Sequence, residues 1–161
     1  MTVVAVTGHR PEQLGDLEWV RETLSRVLAE ENPSLLYQGM AAGADLLSAE
    51  ISYELSIPYI AVKPWAGHCP RESDRKLYSQ VSANAFQIIE VDPSLSYPGV
   101  WVYQTRNKYM VDHADILIAV WNGSSSGGTA SCVKYARQKS IPIIQIDPVT
   151  KQVTYPEVRL F

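Results

Sequence analysis

Cysteine is scarce in this chain: Cys69 and Cys132 are the two in 161 residues. They are too few and too poorly spaced for a disulfide framework or a zinc site, which suits a reducing cytoplasm. Histidine is nearly as rare, and His9, His68 and His113 have no metal-ligand spacing, so no metal is expected. Basic charge is not in excess. The 14 basic and 17 acidic residues give a formal net charge of -3, so no broad basic surface is expected to hold a nucleic-acid backbone. No apolar run reaches the roughly 18 residues of a membrane-spanning helix, and the opening MTVVAVTGHRP lacks the charged and apolar regions of a signal peptide. A soluble cytoplasmic protein with no membrane partner is the expectation.

What is present is a regular alternation. Apolar runs rich in Val, Ile and Leu fall at Thr2 to Thr7, Ser34 to Gln38, Ile57 to Val62, Phe86 to Val91, Asp115 to Trp121 and Ile141 to Ile146. Continuous apolar runs of that length read as strands covered on both faces. Between them lie helical patterns at Asp16 to Glu31, Ala44 to Leu55, Arg71 to Val81, Trp101 to Ala114 and Gly128 to Lys139. The first carries Leu17, Val20, Leu24, Val27 and Leu28 at helical spacing, with Asp16 as its N-cap. The alternation predicts an α/β, Rossmann-like, doubly wound and mostly parallel sheet with helices on both faces. At 17.9 kDa one domain over residues 1–161 is expected, with no linker or internal repeat.

Ligands in such folds lie at the carboxyl ends of the strands, so the residues just past each strand carry the functional reading. The most informative is the turn Ser124-Ser125-Ser126-Gly127-Gly128-Thr129. A Gly/Ser turn between a strand and a helix aims several backbone N–H groups at one point, at the positive end of a helix dipole, where a phosphate can sit. Glycines also serve merely to let a chain turn tightly. After the first strand, Gly8, His9 and Arg10 form a candidate ligand-binding loop: Gly8 permits a sharp turn and Arg10 offers paired N–H donors to a phosphate or carboxylate, the alternative being that Arg10 pairs with an acidic residue and His9 caps a helix or faces water. After the second strand comes GMAAGAD, in which Gly39 and Gly43 with small residues between them would let a ligand approach the backbone. Asp45, in the first turn of the next helix, would cap it or accept a ribose hydroxyl. The spacing is neither the dinucleotide G-x-G-x-x-G nor a P-loop, which disfavours an NAD enzyme or a P-loop ATPase.

Aromatic residues cluster near the same strand ends: Trp65, Trp101, Tyr103, Tyr109 and Trp121. Each would fill the outer core or stack on a base, and Trp65, after Lys63-Pro64, is the first candidate for stacking. Candidate nucleophiles and acids are few. Cys132 would have its thiol activated by a helix N-terminus or simply pack against the sheet. Glu50 lies well along its helix as a solvent-facing charge, and Asp112 and Asp115 bracket His113 as caps or solvated residues. No Ser-His-Asp or Cys-His arrangement is readable.

Taken together, TGHRP, GMAAGAD with Glu50, RNKYMVDHADILIAVWNG and SSSGGT before an apolar helix resemble the SLOG superfamily. The similarity is to its YpsA-like branch, with kinship to the DNA-processing protein DprA and the LOG phosphoribohydrolases, and it runs from Thr7 to about Asp147. The resemblance implies a Rossmann-like pocket for a nucleotide or nucleotide-derived ligand. By the same resemblance, Gly127, Gly128 and Thr129 would hold phosphate, flanked by Arg106 and Asn107; the convergence of backbone N–H groups in the turn extends the expected phosphate site to Ser125 and Ser126, and no cofactor is expected. In LOG enzymes the glycine turn ends in Gly-Thr-x-x-Glu, and that Glu takes part in cleaving the N-glycosidic bond of nucleoside 5′-monophosphates. Here Cys132 follows Thr129-Ala130-Ser131, which argues against that hydrolysis. The leading expectation is therefore a nucleotide-binding protein; an N-glycosidase and a DprA-like binder of single-stranded DNA are the alternatives. A homodimer is the assembly to test for.

Overall fold

A computed structural model describes residues 1–156. The domain expected over 1–161 extends past that range, and residues 157–161 lie outside the described residues. The strands are β1 (Val3–Gly8), β2 (Leu35–Gln38), β3 (Tyr59–Lys63), β4 (Gln87–Glu90), β5 (Ile116–Val120), β6 (Ile143–Asp147) and β7 (Gln152–Thr154). The helices are α1 (Leu17–Glu31), α2 (Ala44–Glu54), α3 (Arg75–Asn84), α4 (Trp101–Asp112) and α5 (Gly128–Gln138), with single 3₁₀ turns at Pro11–Gln13 and Glu72–Asp74.

The strands form one sheet in the order β4-β3-β2-β1-β5-β6-β7. All neighbours are parallel except β6 and β7, whose short antiparallel pairing sets Ile146 opposite Val153. β7 is absent from the sequence reading because three residues carry too little alternation to be seen. The helix expected from Arg71 begins instead at Arg75, preceded by the 3₁₀ turn.

Alternation along the strands explains the two helical layers. Val4, Val6, Leu36, Ile116, Ile118 and Val120 face α1, α2 and α3 and join Val20, Leu24, Leu46 and Val81 in one core. Ala5, Tyr37, Val62, Leu117 and Ala119 face the other way, onto Met110 and Val111 of α4 and Val133 and Ala136 of α5. This is the doubly wound arrangement expected. Strand order runs outward in both directions from the β1–β5 pair, so the switch point lies there, at the ends of β1 and β5.

Asp16 caps α1 by accepting from the Trp19 N–H at 3.1 Å, and it pairs with Lys151 at 2.9 Å across to the β6–β7 turn. Asn32 closes the helix in the left-handed conformation. Leu17, placed by its spacing on the buried face, is 54% exposed at the first position of α1, and the buried stripe of that helix begins at Val20. No helix among the described residues is long and apolar enough to cross a membrane.

Candidate functional site

At the switch point the ends of β1 and β5 and the starts of α2 and α5 enclose, with α4, a cavity of about 300 Å³. Its walls include Gly8, His9, Arg10, Asp45, Arg106, Asn107, Gly128 and Thr129, so residues of TGHRP, GMAAGAD, the Arg106-Asn107 pair of α4 and the glycine turn meet there. Thr7, Ala41 and Tyr103 complete the lining together with Gln13 and Val100, and the last two are absent from the sequence reading.

The floor is built by close backbone approaches. His9 donates its N–H to the Val120 carbonyl at 3.0 Å, and its own carbonyl accepts from Ala44 N–H at 3.1 Å. Its ring Nε2 lies 3.1 Å from the Asn122 N–H and accepts from it, which places the ring proton on Nδ1 and ties the β1 loop to the β5 loop. His9 is therefore a buried brace and neither caps a helix with its side chain nor faces water.

The glycines make this packing feasible. A Cβ at Gly43, where φ is 94°, would stand 2.4 Å from the His9 carbonyl oxygen. A Cβ at Gly39 would stand 2.7 Å from Cδ and 2.8 Å from Nε of Arg106. The space beside both glycines, read from the sequence as room for a ligand, is filled by the protein's own loop and by the Arg106 side chain.

Arg106 itself is buried at 8% exposure. It donates from Nη1 to the Gly39 carbonyl at 2.7 Å and from Nε to Asn107 Oδ1 at 3.1 Å, and its guanidinium lies 5.7 Å from the centre of the Tyr103 ring. Asn107 in turn donates to the Gly128 carbonyl at 3.4 Å, linking α4 to the start of α5. Asp45 accepts from the Ala41 N–H at 3.2 Å. Burial raises its pKa above the ordinary carboxylate value, opposed by the charges of Arg106 and Arg10 and by backbone N–H groups. Asp45 is the one carboxylate lining the cavity among the described residues.

The glycine turn splits in two. Gly128 and Thr129 line the cavity, whereas Ser125, Ser126 and Gly127 form an exposed rim beyond it. Gly127, at φ 102°, is the N-cap of α5 and supplies no side-chain cap. The first N–H groups of that helix are thus available to an anion. Cys132 is fully buried against the sheet, and burial pushes its thiol up to about 12, so helix-terminus activation does not occur.

The remaining candidates are satisfied elsewhere. Glu50 pairs with Arg21 on the outer helical face, where Arg21 also reaches Glu54 at 3.3 Å. These side chains line a larger groove of about 410 Å³, in which the one cation among the described lining residues, Arg21, is shared between both carboxylates. Asp112 accepts from the Tyr135 hydroxyl at 2.7 Å, Asp115 accepts from the Val3 N–H at 2.8 Å, and His113 bonds the Tyr109 carbonyl through Nδ1 at 2.7 Å.

A second cavity of about 160 Å³ adjoins the first and shares Arg10, Ala41, Tyr103 and Arg106 with it. Trp65 stands here rather than in the larger cavity. Its floor includes Met40, held in the left-handed region at φ 65° while Gln38 Oε1 accepts from its N–H at 2.7 Å. His68, considered in the sequence only as a metal ligand and set aside for its spacing, is in the wall.

Comparison with known proteins fits this geometry. The chain is 24% identical over 173 residues to a UPF0398 protein of Bacillus pumilus, covering 95% of this chain and 92% of that one. It is also 24% identical over 157 residues to a UPF0398 protein of Bacillus thuringiensis. No family model matches the chain. Among solved structures, DNA processing protein A from Helicobacter pylori, described for its single-stranded DNA binding mode, has a TM-score of 0.69 at 19% identity, over 96% of this chain and 68% of that one. The molybdenum cofactor carrier protein of Chlamydomonas reinhardtii has a TM-score of 0.60 at 18% identity, over 89% of this chain and 75% of that one. These neighbours share the doubly wound fold. In such a fold the cavity at the β1–β5 switch point is where the sheet places a ligand. A net charge of -3 does not by itself exclude nucleic acid, since the first of these neighbours binds single-stranded DNA.

Proposed function

We propose that the switch-point cavity binds a nucleotide or nucleotide-derived small molecule by its phosphate. One observation carries the reading: Arg10, Arg106 and Asn107 converge on the cavity that the uncapped N-terminus of α5 enters through Gly128 and Thr129. Two guanidinium groups and a helix N-terminus face a space whose lining, among the described residues, holds a single carboxylate, Asp45, so positive character is in excess there and a bound anion offsets it. Asp45, across the cavity, supplies an acceptor for a sugar hydroxyl. Its raised pKa also gives it a carboxyl that is readily protonated by a carboxylate's standards.

Titration of the protein with AMP and ribose 5-phosphate, with adenosine as the phosphate-free control, tests the reading by calorimetry and thermal shift. Both phosphorylated compounds bind and raise the melting temperature, and adenosine binds much more weakly. Equal binding of adenosine and AMP would refute a phosphate site. Chromatography of the AMP mixture is expected to show no released adenine, because no carboxylate stands where Cys132 is buried. An oligo-dT titration belongs in the same experiment, since a neighbour of this fold binds single-stranded DNA. Its binding in competition with AMP would place the two ligands in one site.

A further inference from the structure

The smaller cavity has a chemistry distinct from the larger one. Trp65 and Tyr103 meet at 78° with ring centres 6.0 Å apart, and Trp65 and His68 meet at 83° and 5.0 Å. Near-perpendicular rings make a corner into which a planar ring fits, lying against one wall and edge-on to the other.

His68 gives that corner a polar reader. Its Nδ1 lies 2.9 Å from the Tyr78 hydroxyl, and the same hydroxyl donates its single proton to the His68 carbonyl at 3.1 Å. Both bonds form together only if Nδ1 carries a ring proton and donates it to that hydroxyl. Nε2 has no protein partner, yet no buried side-chain nitrogen or oxygen among the described residues lacks one. Nε2 is therefore open, and the space His68 lines is the small cavity. Burial, with Arg106, Lys63 and Arg10 nearby, lowers the ring's pKa to about 4, so at neutral pH it stays an uncharged acceptor.

The two cavities share Arg10 and Arg106 at their seam, and together they reach the roughly 300–1,000 Å³ typical of small-molecule sites. A ligand anchored by phosphate at α5 extends past Tyr103 into the corner. We propose that the Trp65–His68–Tyr103 cavity is the subsite for the ligand's planar nitrogenous ring, and that His68 Nε2 selects a ring bearing an N–H donor. This rests on the phosphate reading above and adds a base preference to it.

Purine riboside 5′-monophosphate separates the two ideas, because it keeps the sugar, phosphate and flat ring but has no N–H on the base. Whichever of AMP, GMP and CMP binds best is expected to bind the wild-type protein about five- to tenfold more tightly than purine riboside 5′-monophosphate, the worth of one net hydrogen bond. In His68→Phe, which keeps a flat ring but no acceptor, that best nucleotide and purine riboside 5′-monophosphate are expected to bind alike. Because the wild-type comparison needs no variant, misfolding of His68→Phe would not blunt the test. Equal wild-type affinity for the nucleotides, purine riboside 5′-monophosphate and ribose 5-phosphate would overturn the subsite while leaving the phosphate site standing. Absence of binding by any phosphorylated compound would overturn both.

Discussion

Replacing Gly39 by Ala isolates the position of one guanidinium from its charge. The new Cβ would lie 2.7 to 2.9 Å from Cδ, Nε and Cζ of Arg106, the far part of a flexible side chain, so Arg106 yields rather than the backbone. Gly39 is not among the glycines with positive φ, so Ala adopts its conformation without strain. The displaced side chain loses its 2.7 Å bond to the Gly39 carbonyl and swings away from the cavity. A charge-assisted contact to phosphate is worth about 1.5–3 kcal/mol, which predicts a rise in Kd for AMP of about 10- to 150-fold. Stability changes little by comparison. The lost internal bond costs about 1 kcal/mol net, and the less flexible unfolded chain returns about 0.4–1 kcal/mol. The melting temperature therefore falls by no more than about 4 °C. Calorimetric titration beside a thermal scan reads both quantities. Unchanged affinity would refute the claim that Arg106 is held by Gly39 for the ligand, and a collapse in melting temperature would show its role to be structural.

Other substitutions give different signatures. Gly43→Ala places a Cβ 2.4 Å from the His9 carbonyl at a positive φ, so it should cost at least about 2 kcal/mol, seen as a lower denaturation midpoint with no ligand present. Asp45→Asn should weaken AMP binding yet stabilise the fold. Burial raises the carboxyl's folded pKa above its unfolded value, so this group's contribution falls as pH rises through the window above 3.8; the gain in melting temperature should be larger at neutral pH than at about pH 4. Iodoacetamide should modify exposed Cys69 in the native protein and leave Cys132 untouched until unfolding, as peptide mass spectrometry would show.

Which parts of this molecule can be read from its sequence follows from what local patterns encode. Strands buried on both faces, such as β1 and β5, appear as unbroken apolar runs, and the segments after them meet as a doubly wound topology demands. Boundaries drift where the ends are polar: β4 is Gln87–Glu90 rather than Phe86 to Val91, with Phe86 outside the ladder and exposed. The site is harder to read because several of its residues act through distant partners. A glycine reveals that something comes close but not what, so Gly39 and Gly43 read as ligand space although Arg106 and His9 occupy it. His68 acquires meaning only when α3 brings Tyr78 to its ring and α4 brings Arg106 near. Neither pairing leaves a trace in local spacing.

The brace between His9 and Asn122 spans 113 positions of the chain. Because the cavity's walls come from both sides of that span, no partly unfolded form or shortened segment keeps them together. Ligand occupancy and global folding are then one linked equilibrium: at a hundredfold excess over Kd a ligand deepens stability by about 2.7 kcal/mol. For a chain of this size that is a shift of roughly 5–11 °C in melting temperature. For a ligand bound as proposed, the same linkage would turn its concentration inside a cell into protein lifetime, since the unfolded fraction that proteases draw on shrinks as ligand accumulates.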